Sequence, residues 1–111
     1  MKIKYFTILM FAFLVTACSN PVPEGKLDYI GEWQSKEMYL LILKDGTVSY
    51  KRLKGGGNVS VNGPLKEFVG DNFVVGVAFL TTTFEVSQPP KLINGAWKMT
   101  VDGVQLTKAG E

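Results

Sequence analysis

The sequence predicts an all-β domain, a small antiparallel meander of about six to eight short strands curled or closed into a barrel. Three observations predict it. Asp45-Gly46 and Asp102-Gly103 each separate two strand-like runs, and Asp-Gly supplies the positive φ angles of a two-residue hairpin turn. Trp97, Met99 and Val101 alternate with Lys98 and Thr100, and Val104 and Leu106 alternate with Gln105 and Thr107. That is the period of a half-buried strand. Residues 73–80, Phe-Val-Val-Gly-Val-Ala-Phe-Leu, form a β-branched and aromatic run without a polar side chain.

The chain opens differently. Lys2 and Lys4 precede an apolar run over residues 5–15, and Val15-Thr16-Ala17-Cys18 follows with the only cysteine of the chain. The run is shorter than the about 20 apolar residues of a membrane span. These residues resemble a bacterial lipoprotein signal peptide, whose lipobox is an aliphatic residue, two small or tolerant ones and then cysteine. The resemblance covers the start of the chain only. It implies signal cleavage between Ala17 and Cys18, a diacylglyceryl group on the Cys18 thiol and, usually, an acyl chain (palmitate-like) on the new amino group. Two or three such chains, at about 0.8 kcal/mol per buried methylene, would anchor the protein stably. A transmembrane helix carrying an inert cysteine and a secretory signal cut elsewhere are the other readings of the same run. Ser19 stands where aspartate would imply inner-membrane retention, so the resemblance implies the outer membrane, with the domain facing the periplasm.

The expected organisation is a signal peptide at 1–17, a lipidated cysteine with a Pro-containing tether at 18–26, and a single β domain at 27–111. The tether, Ser-Asn-Pro-Val-Pro-Glu-Gly-Lys after the cysteine, has no periodic pattern and would extend roughly 25 Å at about 3.1 Å per residue. The formal charge of +2 belongs partly to the precursor. Lys2 and Lys4 leave with the signal, so the 12 basic residues fall to equal the 10 acidic ones. A neutral domain argues against nucleic acid as a partner.

Gly31-Glu32-Trp33 begins the domain as a G-x-W triplet. Lipocalins carry a similar triplet at their first strand, and a core tryptophan after a turn glycine reads the same way. Residues 38–43 and 47–53 are expected to pair about Asp45-Gly46 with Leu43 opposite Val48, Leu41 opposite Tyr50 and Tyr39 opposite Arg52. Gly55-Gly56-Gly57-Asn58 reads as a flexible loop without the Lys-Ser/Thr of a phosphate loop. Lys51, Arg52 and Lys54 beside it are solvated charges or contacts for lipid phosphates. A short strand at 59–61, a turn at Asn62-Gly63-Pro64 and an ambiguous segment at 65–69 follow. Residues 73–86 are expected as one strand, with Gly76 marking a bulge or bend and Ser87-Gln88-Pro89-Pro90 ending it. An apolar run on both faces calls for cover on both sides, from the barrel or from a partner. The last hairpin sets Val101 against Val104 and Met99 against Leu106.

The chain has no histidine, which removes the usual general base near neutral pH and the Ser-His-Asp triad. Asp45, Asp71 and Asp102 sit in turn signals, and Glu32, Glu37, Glu67 and Glu85 show no paired spacing. Glu85 is expected to face solvent between Phe84 and Val86. No enzyme, no metal site and no cofactor are expected. The aromatic residues Trp33, Tyr39, Tyr50, Phe73, Phe79, Phe84 and Trp97 are expected mainly in the core.

The expected function is therefore a lipid-anchored envelope protein, a non-catalytic binding or support module for an envelope protein, a lipid or peptidoglycan. The alternatives are a small lipocalin-like barrel holding an apolar ligand and an inhibitor of a foreign enzyme. Known lysozyme-inhibiting lipoprotein barrels carry paired cysteines and a Ser-Gly-x-x-Tyr type loop, and both are missing here.

Overall fold

A computed structural model describes residues 20–109. Ala17 and Cys18 lie outside the described residues. A 3-10 helix, Glu24–Tyr29, leads into nine strands: β1 Gly31–Gln34, β2 Met38–Ile42, β3 Thr47–Lys54, β4 Gly57–Val69, β5 Asn72–Val77, β6 Leu80–Phe84, β7 Val86–Ile93, β8 Ala96–Val101 and β9 Val104–Lys108. All pair antiparallel in one curled sheet of order β6-β5-β4-β3-β2-β1-β9-β8-β7. The all-β prediction holds, with more strands than expected.

The first and last strands of that order, β6 and β7, are consecutive in the chain and separated by Glu85 alone. One bent segment thus serves both ends of the curl. The bend is clasped from both sides. Asn72 Oδ1 accepts the Val86 N–H at 2.7 Å, and Asp102 Oδ1 accepts the Glu85 N–H at 2.9 Å. The Asp102 N–H donates in turn to the Glu85 carbonyl at 2.7 Å. Glu85 is exposed while Phe84 and Val86 are buried, as the alternation predicted.

Inside the curl lie Trp33, Leu40, Ile42, Val48, Phe73, Val75, Phe84, Met99, Val101 and Leu106, each essentially without solvent contact. Phe73 stacks on Phe84 with ring centroids 5.0 Å apart, and Tyr50 meets Phe84 at 4.8 Å. The 3-10 helix adds Tyr29, edge-on to Phe68 at 5.0 Å and to Phe73 at 6.2 Å. Its hydroxyl donates to the Asp71 carbonyl at 2.8 Å, and Trp33 Nε1 donates to its backbone carbonyl at 2.9 Å. A buried aromatic ring keeps its polar tip only with such a partner.

The hairpin at Asp102-Gly103 forms as predicted, with Val101 opposite Val104 and Met99 opposite Leu106. Both turn residues have positive φ, 48° and 82°. The hairpin at Asp45-Gly46 does not. Ile42 pairs with Val48, Leu40 with Tyr50 and Met38 with Arg52, one residue out of the expected register on β2. Leu43 and Thr47 flank a longer loop, closed by the Leu43 N–H on the Thr47 carbonyl at 2.9 Å, and only Gly46 takes positive φ, 93°. Asp45 instead accepts the Thr47 N–H on Oδ1 at 2.9 Å.

Three further segments differ from expectation. Gly55-Gly56 is a tight turn, and Gly57 and Asn58 already belong to β4. Asn62-Gly63-Pro64 does not turn the chain but continues β4, whose register shifts between Leu65 and Glu67. Gly63 sits there without a side chain against Val75, where a Cβ would meet Val75 Cγ1 at 3.4 Å. Pro89 and Pro90 lie within β7, an edge strand whose missing donors cost no ladder bond. β7 turns into β8 at Asn94-Gly95, with φ 52° and 84°.

Candidate functional site

Ala17 and Cys18, expected as the cleavage and lipidation positions, lie outside the described residues, and the described chain begins at Asn20. Residues 20–26 are not a free tether. Val22 is 6% exposed, and its N–H donates to the Lys44 carbonyl at 3.1 Å. Asn20 crosses Gly46 so closely that a Cβ there would fall on the Asn20 carbonyl. Its Nδ2 donates to the Lys66 carbonyl at 3.1 Å. The folded domain therefore reaches to within two residues of Cys18. Sequence reasoning missed this because a single valine between prolines carries no period.

The apolar run over 73–80 divides in two. Phe73 and Val75 face the core and Val74 is also buried. The second half is a hairpin tip: β5 pairs with β6 through Val77 and Leu80, so Ala78 and Phe79 form a two-residue turn. Phe79, expected in the core, is 88% exposed. Gly76, at φ 131°, bends the strand where a Cβ would strike the Leu80 carbonyl. Lys66 Nζ donates to the Ala78 carbonyl at 3.0 Å, tying the tip to the segment that holds Asn20.

The outer face of β2, β3 and β4 forms a second surface feature. Two open clefts of about 230 and 210 Å³ adjoin there, sharing Tyr39 and Lys51. Ser49, Ser60 and Asn62 line one, and Ser35, Lys36, Glu37 and Leu53 line the other. The Tyr39 hydroxyl donates to Glu32 Oε2 at 2.7 Å. That bond, with burial and the carboxylate charge acting in the same direction, holds the Tyr39 phenol above its ordinary 10.0. A phenol kept neutral beside hydroxyls, an amide and the ammonium groups of Lys36 and Lys51 makes a polar surface.

The basic trio is split. Lys51 faces the clefts, while Arg52, on the opposite face of β3, meets Glu37 Oε2 at 3.3 Å. Among the described residues no three His, Cys, Asp or Glu side chains are grouped as a metal site would need. The Trp33 of the G-x-W triplet is a core residue, and Lys108 Nζ lies 4.9 Å from the centre of its ring. The inside of the curl, among the described residues, is occupied by packed aromatic and aliphatic side chains, and both clefts are on the outside. Compared with protein-family models, with curated proteins and with solved structures, the chain gives no significant match in any of the three.

Proposed function

We propose that this protein is a lipid-anchored lipoprotein of the bacterial envelope, held in the outer membrane through Cys18 and facing the periplasm. In that setting it binds or supports another envelope component without catalysing a reaction. The observation that carries the proposal is Val15-Thr16-Ala17-Cys18 at the end of a short apolar run preceded by two lysines. Thiolate chemistry is the reason the lipid needs a cysteine, and Ala17 leaves room for a peptidase. The partner classes are an envelope protein, a lipid or peptidoglycan, and the Tyr39–Lys51 surface suits a polar partner. The absence of histidine supports a binding role.

The test is fractionation of cells expressing the full chain beside its Cys18→Ser variant, with the intact mass of each product. An acylated native protein in the outer membrane and an unacylated, displaced variant are expected. A native protein without acyl mass, or one found soluble, overturns the proposal.

A further inference from the structure

Consecutive exposed apolar residues at a turn need a reason, because a turn is normally built from Gly, Asn or Asp. Here the tip between β5 and β6 is Val77-Ala78-Phe79-Leu80. Val77 is 56%, Phe79 88% and Leu80 69% exposed. Ala78 holds a positive φ of 53°, a conformation that glycine would adopt more easily. The fold gains nothing visible from these choices. Scattered apolar residues on a surface are ordinary, but a contiguous apolar tip marks a contact.

We infer that this hairpin tip inserts into the lipid interface beside the anchor, giving the domain a second, non-covalent hold on its membrane. The inference rests on the anchoring proposed above. What points to lipid is position. Lys66 bridges Asn20 and the tip, accepting from Asn20 Nδ2 at 3.1 Å and donating to the Ala78 carbonyl at 3.0 Å. Cys18 is two residues before Asn20, a covalent reach of at most about 7 Å. An acyl chain on Cys18 would therefore leave from the side of the domain that carries Phe79, the most exposed aromatic residue among the described residues. Lys44 and Lys66 stand near this corner, but Asp45 and Glu67 adjoin them, so apolar contact rather than net charge drives the insertion. A bulky aromatic residue is what an interface between headgroups and acyl chains accepts.

The experiment uses the full chain, processed in bacteria and reconstituted into phosphatidylethanolamine–phosphatidylglycerol vesicles. An environment-sensitive fluorophore is placed at Leu80→Cys and, for comparison, at Gly55→Cys on the β3–β4 turn. Unchanged circular dichroism checks that both fold. The expected result, on protein whose Cys18 is acylated by mass, is a blue shift at position 80. That probe should also be quenched by nitroxide-bearing acyl chains and protected from aqueous iodide, while the probe at 55 shows none of these. Acylated protein whose position-80 probe stays open to iodide overturns the inference and leaves the anchor standing. Protection from iodide without nitroxide quenching means that protein, such as a second copy, covers the tip, and also overturns it. An unacylated Cys18 removes the anchor and this inference together.

Discussion

Gly46→Ala should detach the N-terminal segment from the domain. At φ 93° an alanine is strained by about 1–2 kcal/mol, and its Cβ would occupy the position of the Asn20 carbonyl. Backbone on either side cannot yield cheaply, because the Gly46 carbonyl also accepts the Leu65 N–H at 2.7 Å. The least costly response is release of residues 20–22. Release forfeits the burial of Val22, about 1.5–3 kcal/mol, and its N–H bond to Lys44, about 1 kcal/mol. Freed residues recover backbone entropy of about 1 kcal/mol each, which offsets much of that. With the backbone strain retained, the net cost is then about 0.5–3 kcal/mol, a fall in Tm of a few to about 20 °C for a domain of this size. Val22→Ala alone removes two methyl groups, about 1.6 kcal/mol. The decisive assay is chemical denaturation of wild type, both single variants and the double variant. If Gly46→Ala undocks the segment, Val22→Ala costs almost nothing in its background, a coupling of about 1.6 kcal/mol. Costs that add to within about 0.5 kcal/mol would refute undocking by Gly46→Ala, and a Val22→Ala that costs almost nothing in the wild-type background would refute the docking of Val22 itself.

Tyr29 gives a pH signature. Burial first, and the charge of Asp71 second, push its phenol from 10.0 to about 12. The neutral phenol is favoured by the fold, so its contribution is complete below pH 10 and is lost as pH rises toward 12. The loss amounts to roughly 2–3 kcal/mol, and Tyr29→Phe should abolish this alkaline component in denaturation curves while costing about 1 kcal/mol at pH 7. Asn72→Ala should leave the Val86 N–H at the β6–β7 bend unpaired, lowering stability by about 1–3 kcal/mol in urea denaturation. Phe79→Ser, at an exposed tip, should change stability by no more than about 0.5 kcal/mol by the same measurement. A large loss there would show that Phe79 belongs to the core.

The two Asp-Gly hairpins show what the sequence specifies and where it stops. Around Asp102-Gly103 apolar and polar residues alternate strictly, and a slip of one residue would put Lys98 and Thr100 inside. The turn and the register were legible together. Around Asp45-Gly46 the arm over 38–43 is apolar on both faces, Met38, Leu40 and Ile42 against Tyr39, Leu41 and Leu43. Either set makes an acceptable interior, so alternation could not choose. The observed register goes with a longer loop in which Lys44 and Gly46 meet Val22 and Asn20, a contact from far outside the hairpin. The turn at Ala78-Phe79 was illegible for the opposite reason, since no residue in it belongs to the usual turn chemistry. The turn at Asn94-Gly95 went unread, Pro89-Pro90 ahead of it suggested a break, and only the edge position of β7 reconciles prolines with a strand. The Tyr39–Lys51 surface joins three strands, and its pairing depended on the register that the sequence left open.

The docked N-terminal segment and the apolar tip bear on the same mechanical question. A tether of the expected length would let the domain sample a shell roughly 25 Å deep around its anchor. With Val22 buried and Asn20 bonded to Lys66, only Ser19 separates the proposed lipid attachment from the docked segment. A domain joined to a membrane by so short a link is oriented as well as localised, because few rotations keep the chain connected. Orientation then decides which surface faces a partner. A membrane-side contact at Phe79 would restrict rotation further and hold the Tyr39–Lys51 clefts at a defined height. For a polar envelope partner, that restriction lowers the entropy lost on binding without any added contact. In the proposed anchored setting, undocking by Gly46→Ala should therefore weaken capture of such a partner while leaving the clefts intact.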